Sequence, residues 1–123
     1  MNFSLWTIQG LLALTFLTAG LIKLTRPRSA LAAQMRWVED FGDGQVKTIA
    51  ALEVLAAIGL IVPGVLHVAT ILTPLAAAGL IALMIGAAIT HARRGESPMI
   101  GLNLVLLAMA AFVAWGRFGP DPL

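Results

Sequence analysis

The sequence contains no cysteine, and that absence excludes several kinds of site. Disulfides, thiolate metal sites, iron–sulfur clusters and a covalently attached c-type haem all require cysteine. The sequence also lacks a cluster of metal ligands, a Ser–His–Asp set and a glycine-rich phosphate loop. We therefore expect no metal and no cofactor, and the pattern favours a protein that is not an enzyme.

Charged residues are also scarce. They make up 11% of the chain and hydrophobic residues 59%, against about 25% and 45–50% in soluble domains. With a mean hydropathy of +0.93, a chain of 123 residues cannot hide its apolar side chains in a water-soluble core. The pI near 10.0 does not indicate nucleic-acid binding, because the net charge is only +2 and the basic residues lie between apolar segments.

Four apolar segments are each close to the roughly 20 residues that cross a bilayer as a helix. The first is predicted to be a retained helix rather than a signal peptide, because no lysine or arginine precedes it and it exceeds the usual apolar core of about 7–15 residues. The sequence therefore predicts an all-α fold, an integral membrane four-helix transmembrane bundle, in a single domain over residues 1–123. The predicted spans are 3–24, 46–62, 73–91 and 98–116.

Prolines mark two of the predicted helix ends. Pro63 and Gly64 end the second span, and Thr73 caps a third helix whose first residue is Pro74, a favoured position for proline. Residues 64–72 then form a connector at the membrane surface.

Residues 29–41 differ from the spans. Leu31, Met35 and Val38 recur at helical spacing between polar residues, which predicts an amphipathic helix too short to cross the membrane. Trp37 and Phe41 suit the headgroup plane. An ordinary solvated loop is the alternative.

The distribution of cationic residues predicts the topology. Loops 25–45 and 92–97 share one side of a four-span protein, and that side carries seven cationic residues against Arg117 alone on the other. By the positive-inside rule, both loops are on the cytoplasmic side of an inner (plasma) membrane and both termini are on its outer side. The seven are Lys23, Arg26, Arg28, Arg36, Lys47, Arg93 and Arg94.

Four polar residues, one from each span, fall in the cytoplasmic half: Lys23, Glu53, His91 and Asn103. A carboxylate inside an apolar helix costs about 2.5–3.5 kcal/mol on insertion scales, so Glu53 is a functional candidate. We predict a ligand-binding polar pocket built from these four residues. The alternatives are that Glu53 and Asn103 bond neighbouring helices, that His91 is solvated, and that Lys23 extends to the headgroups, which its position at a helix end favours.

His67 and His91 do not form a haem pair. They are 24 positions apart on one hydrophobic segment, which is about 36 Å if the whole segment is helical. They therefore lie on opposite sides of the membrane.

A stripe of small residues follows one face of the third span at fourfold spacing. Its members, Ala78, Ala82, Gly86 and Thr90, permit close contact with another helix.

Several segments together resemble the DoxX-like family of small four-helix membrane proteins. They are 10–24, 37–41, 51–55, 72–77 and 86–95, and the most specific features are Phe16, Ala19, Gly20 and Lys23 in the first helix and Glu53 in the second. The resemblance implies links to thiosulfate or quinol oxidation complexes, to quinone detoxification or to receptor assembly. It implies no catalytic residue.

Three functions follow as hypotheses. The leading one is an accessory protein that binds a quinone-like or other small hydrophobic ligand, or a protein partner, near Glu53. The second is a small multidrug or proton-coupled exporter, although that family's glutamate lies in the first helix and its dual-topology members lack such a charge bias. The third is a purely structural assembly factor that docks through the small-residue stripe. The expected partners are the lipid bilayer, a hydrophobic ligand or quinone, and a membrane protein or further copies of the chain, but not nucleic acid.

Overall fold

Four long α-helices make up most of the residues that the computed structural model describes, which are 1–26, 30–31 and 41–123. All four are long and apolar enough to cross a membrane. The predicted all-α, four-helix membrane bundle is therefore confirmed. The helices are α1 (Asn2–Thr25), α2 (Asp43–Leu66), α3 (Leu72–Arg93) and α4 (Ser97–Phe118).

The helices form a ring in which each packs mainly against two neighbours. Helices α1 and α3 each pack against α2 and α4. Consecutive helices run in opposite directions, so α1 begins and α4 ends at the same end of the bundle, which we call the Arg117 end. The opposite end, where α1 and α3 finish, we call the Lys23 end.

The middle of the bundle is an apolar core. Only 28–33% of the residues in the most apolar part of each helix are buried. The remaining apolar faces point outward, where contact with water would cost about 25 cal/mol per Å² and contact with lipid tails costs nothing comparable. The largest buried core side chains are Leu12, Phe16, Leu60, Leu80, Met84 and Val113.

Helix α2 continues through Pro63 to Leu66, beyond the end that the sequence predicted at residue 62. Proline has no N–H, so in a helix it leaves the carbonyl four residues earlier without its usual donor. The Thr73 hydroxyl donates to that carbonyl, of Gly59, at 2.7 Å. A side chain of α3 thus supplies the bond that Pro63 cannot make.

The same contact corrects the predicted role of Thr73. Helix α3 begins at Leu72 with Ile71 as its N-cap, and no side chain caps it. Thr73 is buried and bonded to α2 instead of to its own helix. Helices α2 and α3 are close at this point, where a side chain on Gly59 would come within 3.0 Å of the Ala76 Cβ.

The predicted amphipathic helix over 29–41 lies largely outside the described residues. Of that stretch the structure describes residues 30–31, which are helical, and Phe41. Leu31 is buried against Val46, with Ile22 and Phe41 alongside.

Candidate ligand-binding site

A buried ion pair joins α1 to α2 at the Lys23 end. Lys23 Nζ lies 2.6 Å from Glu53 Oε1, and the two residues are 8% and 4% exposed. Lys23 therefore does not extend to the headgroups, which its position at a helix end had favoured. Two opposite charges in contact avoid most of the cost that either would carry alone in an apolar medium.

Gly20 brings the two helices close enough for this pair to form. A Cβ at that position would lie 2.7 Å from Val54 Cγ2 and 2.9 Å from the Ala50 carbonyl oxygen. Since Lys23 is three residues further along α1, and Val54 directly follows Glu53, this close contact of the helices lies beside the ion pair.

A second lysine holds the end of α1 in place. Lys47 Nζ donates to the backbone carbonyls of Lys23 and, at 2.6 Å, of Arg26. The last carbonyls of a helix lack intrahelical donors and carry partial negative charge, so an ammonium group is well placed there. In the sequence, Lys47 contributed only to the charge count.

His91 is also buried, at the end of α3. Its Nδ1 lies 2.9 Å from Glu96 Oε1, in the short connection to α4, and the Glu96 backbone N–H donates to the His91 carbonyl. The alternative that His91 is merely solvated is therefore wrong. No hydrogen bond of the described residues uses Nε2.

Asn103 has a donor without a partner. The residue is 6% exposed, and its Nδ2 makes no hydrogen bond with any part of the chain that the structure describes. An unpaired polar group buried in this way costs about 1–3 kcal/mol, so an unpartnered donor of this kind is unusual.

All four predicted polar residues line one cavity of about 640 Å³, which we call the polar cavity. Their side chains lie at its Lys23 end, and the rest of the wall is mostly apolar, with Phe16, Met84 and Leu106 among its residues. Its volume falls within the range of about 300–1,000 Å³ that is typical of small-molecule sites, and so does a mostly apolar wall with a few polar groups.

The polar cavity is not fully enclosed. Ala82, Gly86 and Ile89 of α3 line it and are exposed. Ala82 and Gly86 belong to the predicted small-residue stripe and Ala78 is exposed as well, so three of the four stripe residues are exposed.

The Arg117 end contains a polar cluster that the sequence analysis missed. Arg117 Nε donates to Gln9 Oε1 at 2.7 Å and Nη1 to Asn2 Oδ1 at 3.0 Å, while Gln9 Nε2 donates to the Leu60 carbonyl at 2.6 Å. The guanidinium also lies over the Trp6 ring, 5.5 Å from its centre. The available signal was Gln9, a polar residue within an apolar span, as Glu53 is.

Among the residues that the structure describes, no group of three or more histidines and carboxylates is placed to hold a metal ion. His67 ends α2 in a left-handed conformation with φ 54° and is exposed at the Arg117 end, away from His91.

The fold and the site define a small multi-pass membrane protein with a ligand-sized cavity inside a four-helix bundle. The model of the DoxX-like family matches residues 7–113. The chain therefore belongs to the DoxX-like family, as the resemblance predicted. No curated protein and no solved structure is significantly similar to it.

Proposed function

We propose that this protein is a non-enzymatic accessory protein of the membrane that binds a small hydrophobic ligand with a quinone-like head in the polar cavity. The observation that carries this proposal is the Asn103 amide. Its Nδ2 is buried in the cavity wall without a partner among the described residues. A ligand carbonyl that accepts this hydrogen bond would recover the cost of leaving the donor unpaired.

The other polar groups of the cavity add acceptors. When the neutral His91 ring donates from Nδ1 to Glu96, its Nε2 is an acceptor, and the Glu53 carboxylate is another. A head that carries carbonyls in one state and hydroxyls in the other, as a quinone and its quinol do, matches a wall that has both donors and acceptors. The apolar wall suits the ring of such a ligand.

The charge distribution supports a plasma-membrane location with the Lys23 end in the cytoplasm and both termini outside. The four-span pattern of the sequence assigns seven cationic residues to that side of the membrane and one to the other. In that orientation the polar cavity lies in the cytoplasmic half of the bilayer, where a lipid-soluble ligand would reach it from the lipid.

The structure favours the exporter hypothesis less than the ligand-binding one. A proton-coupled exporter needs a membrane carboxylate that takes up and releases protons during transport. Glu53 is instead held in a buried ion pair with Lys23 at 2.6 Å.

An assembly factor is the second candidate, and the exposed part of the small-residue stripe supports it. Ala78, Ala82 and Gly86 lie on the outer face of α3, where a transmembrane helix of a partner could approach closely. On this hypothesis Ala78→Leu, which alters the stripe outside the polar cavity, disrupts a complex, and Asn103→Leu inside the cavity does not.

Asn103→Leu tests the proposed function. The variant keeps the approximate volume of the side chain and removes the amide donor. We expect a quinone without a tail to bind about tenfold more weakly, the loss of one hydrogen bond. Thermal stability should stay the same or rise slightly, because a buried unpaired donor disappears.

Isothermal titration of the protein in lipid nanodiscs measures the affinity. Native mass spectrometry of protein released gently from its own membrane identifies the natural ligand, which wild type should carry and Asn103→Leu should lose. Equal affinity of the two proteins for the quinone would contradict the proposal. A co-released protein with no bound small molecule would favour the assembly factor.

A further inference from the structure

A second concave surface runs along the outside of the bundle between α2 and α3, and we call it the α2–α3 groove. It has a volume of about 550 Å³. Its floor consists of small residues, Ala56, Gly59, Ala76 and Gly79, and leucines such as Leu55 and Leu75 form its rims. These rim leucines are exposed, so the groove faces the lipid.

The groove is continuous with the polar cavity. Ala82 and Leu83 line both, and Leu52 at the groove directly precedes Glu53 in the cavity. From Ala82 the groove follows α3 back to Leu72, about 15 Å along the helix axis. Every side chain that lines it is apolar or absent.

We propose that the α2–α3 groove holds the apolar tail of the same ligand whose head occupies the polar cavity. This inference rests on the proposed function and narrows the ligand to a tailed, lipid-soluble class such as an isoprenoid-type quinone. Ala82 and Leu83 line both spaces, so a tail can pass directly from the polar cavity into the groove. The small residues between exposed leucines leave space for an extended apolar chain.

The affinity that the groove adds depends on where the tail of the unbound ligand lies. A tail in a bilayer is already in an apolar medium, so the groove adds packing contacts rather than a hydrophobic gain. We therefore expect the groove to increase the affinity for a tailed ligand about tenfold, equivalent to about 1.4 kcal/mol.

Three glycine-to-leucine variants separate the cavity from the groove. Gly86 lines the polar cavity, Gly79 lines the groove, and Gly101 on α4 lines neither. At each of the three, an added Cβ meets nothing within 4 Å, and leucine favours a helix more than glycine does. All three variants should therefore fold, and Gly101→Leu is the matched control.

The probes are a benzoquinone without a tail and the same benzoquinone with a ten-carbon tail, titrated into nanodiscs of one lipid composition. Partition of the tailed quinone into lipid is then the same for every variant. We expect Gly79→Leu to weaken binding of the tailed quinone about tenfold and to leave binding of the tailless quinone unchanged. Gly86→Leu should weaken binding of both quinones, and Gly101→Leu should weaken binding of neither.

The possible failures are distinguishable. Suppose that wild type binds the tailless quinone, and that Gly79→Leu weakens binding of neither quinone or of both equally. The groove then does not hold the tail, and only this inference is overturned. That outcome would leave the groove to a bilayer lipid or a second copy of the chain. If wild type binds neither quinone, the proposed function fails and this inference fails with it.

Discussion

Both ends of the bundle contain buried polar residues, but the two sets are arranged differently. At the Arg117 end, buried polar groups bond mostly to one another, and neither the polar cavity nor the α2–α3 groove reaches Gln9 or Arg117. At the Lys23 end, the buried polar groups surround a cavity, and the Asn103 donor has no partner among the described residues.

The two ends differ in how far the protein itself satisfies its buried polar groups. Lipid offers no hydrogen bonds, so each polar group must find its partner within the protein or in a bound molecule. The Arg117 end meets most of this requirement with side chains and carbonyls of other helices, although Arg117 Nη2 has no partner among the described residues. The Lys23 end leaves part of it unmet, in a space that a small molecule could fill.

Lys23→Met should have the largest effect on stability. It leaves the Glu53 carboxylate buried without its ammonium partner, and breaking a buried pair in this way costs about 3–5 kcal/mol. Unfolding in mixed detergent, followed by circular dichroism, measures the loss.

The double variant Lys23→Met/Glu53→Leu should recover most of that stability, because no uncompensated charge remains. If the single variant is as stable as wild type, the pair contributes nothing to the fold, and the Lys23 end holds the helices together less than the structure indicates.

Gln9→Leu should have the next largest effect on stability, a loss of about 2 kcal/mol. It removes the donor to the Leu60 carbonyl and the acceptor of Arg117 Nε, and it leaves that buried guanidinium nitrogen without its partner. The same unfolding assay measures the loss.

Binding of the tailless quinone should be unchanged in Gln9→Leu, which is the converse of Asn103→Leu. A variant at Gln9 that binds the quinone more weakly without losing stability would remove the distinction between the two ends.

Thr73→Val should have the smallest effect, a loss of about 1 kcal/mol. The variant removes the donor to the Gly59 carbonyl that Pro63 leaves without a backbone N–H. In a Pro63→Ala background the loss should shrink, because alanine has the backbone N–H that proline lacks and can donate it to that carbonyl. An equal loss in both backgrounds would show that Thr73 does not substitute for the bond that proline removes.

The sequence predicted the helices and the depth of the polar residues well. Long apolar segments with few charges specify membrane helices, and counting along those helices placed Lys23, Glu53, His91 and Asn103 in the same half. The structure places these four around one cavity. To predict this common location, it was enough to know the rise per residue of a helix and that consecutive membrane helices run in opposite directions.

Contacts between distant parts of the chain could not be predicted in this way. The continuation of α2 past Pro63 depends on Thr73, 14 positions from Gly59 along the chain. The bond between Arg117 and Gln9 joins residues 108 positions apart. Neither pairing leaves a periodic pattern in the sequence, because both depend on how two helix faces meet.

The order of the two charges along the chain bears on how the protein is made. Lys23 lies in α1 and Glu53 in α2, so the ribosome delivers the ammonium group to the membrane before the carboxylate. A carboxylate entering lipid alone would cost about 2.5–3.5 kcal/mol, but here its partner is already present when α2 emerges. Once both helices are in the bilayer, the ion pair adds no net charge to it.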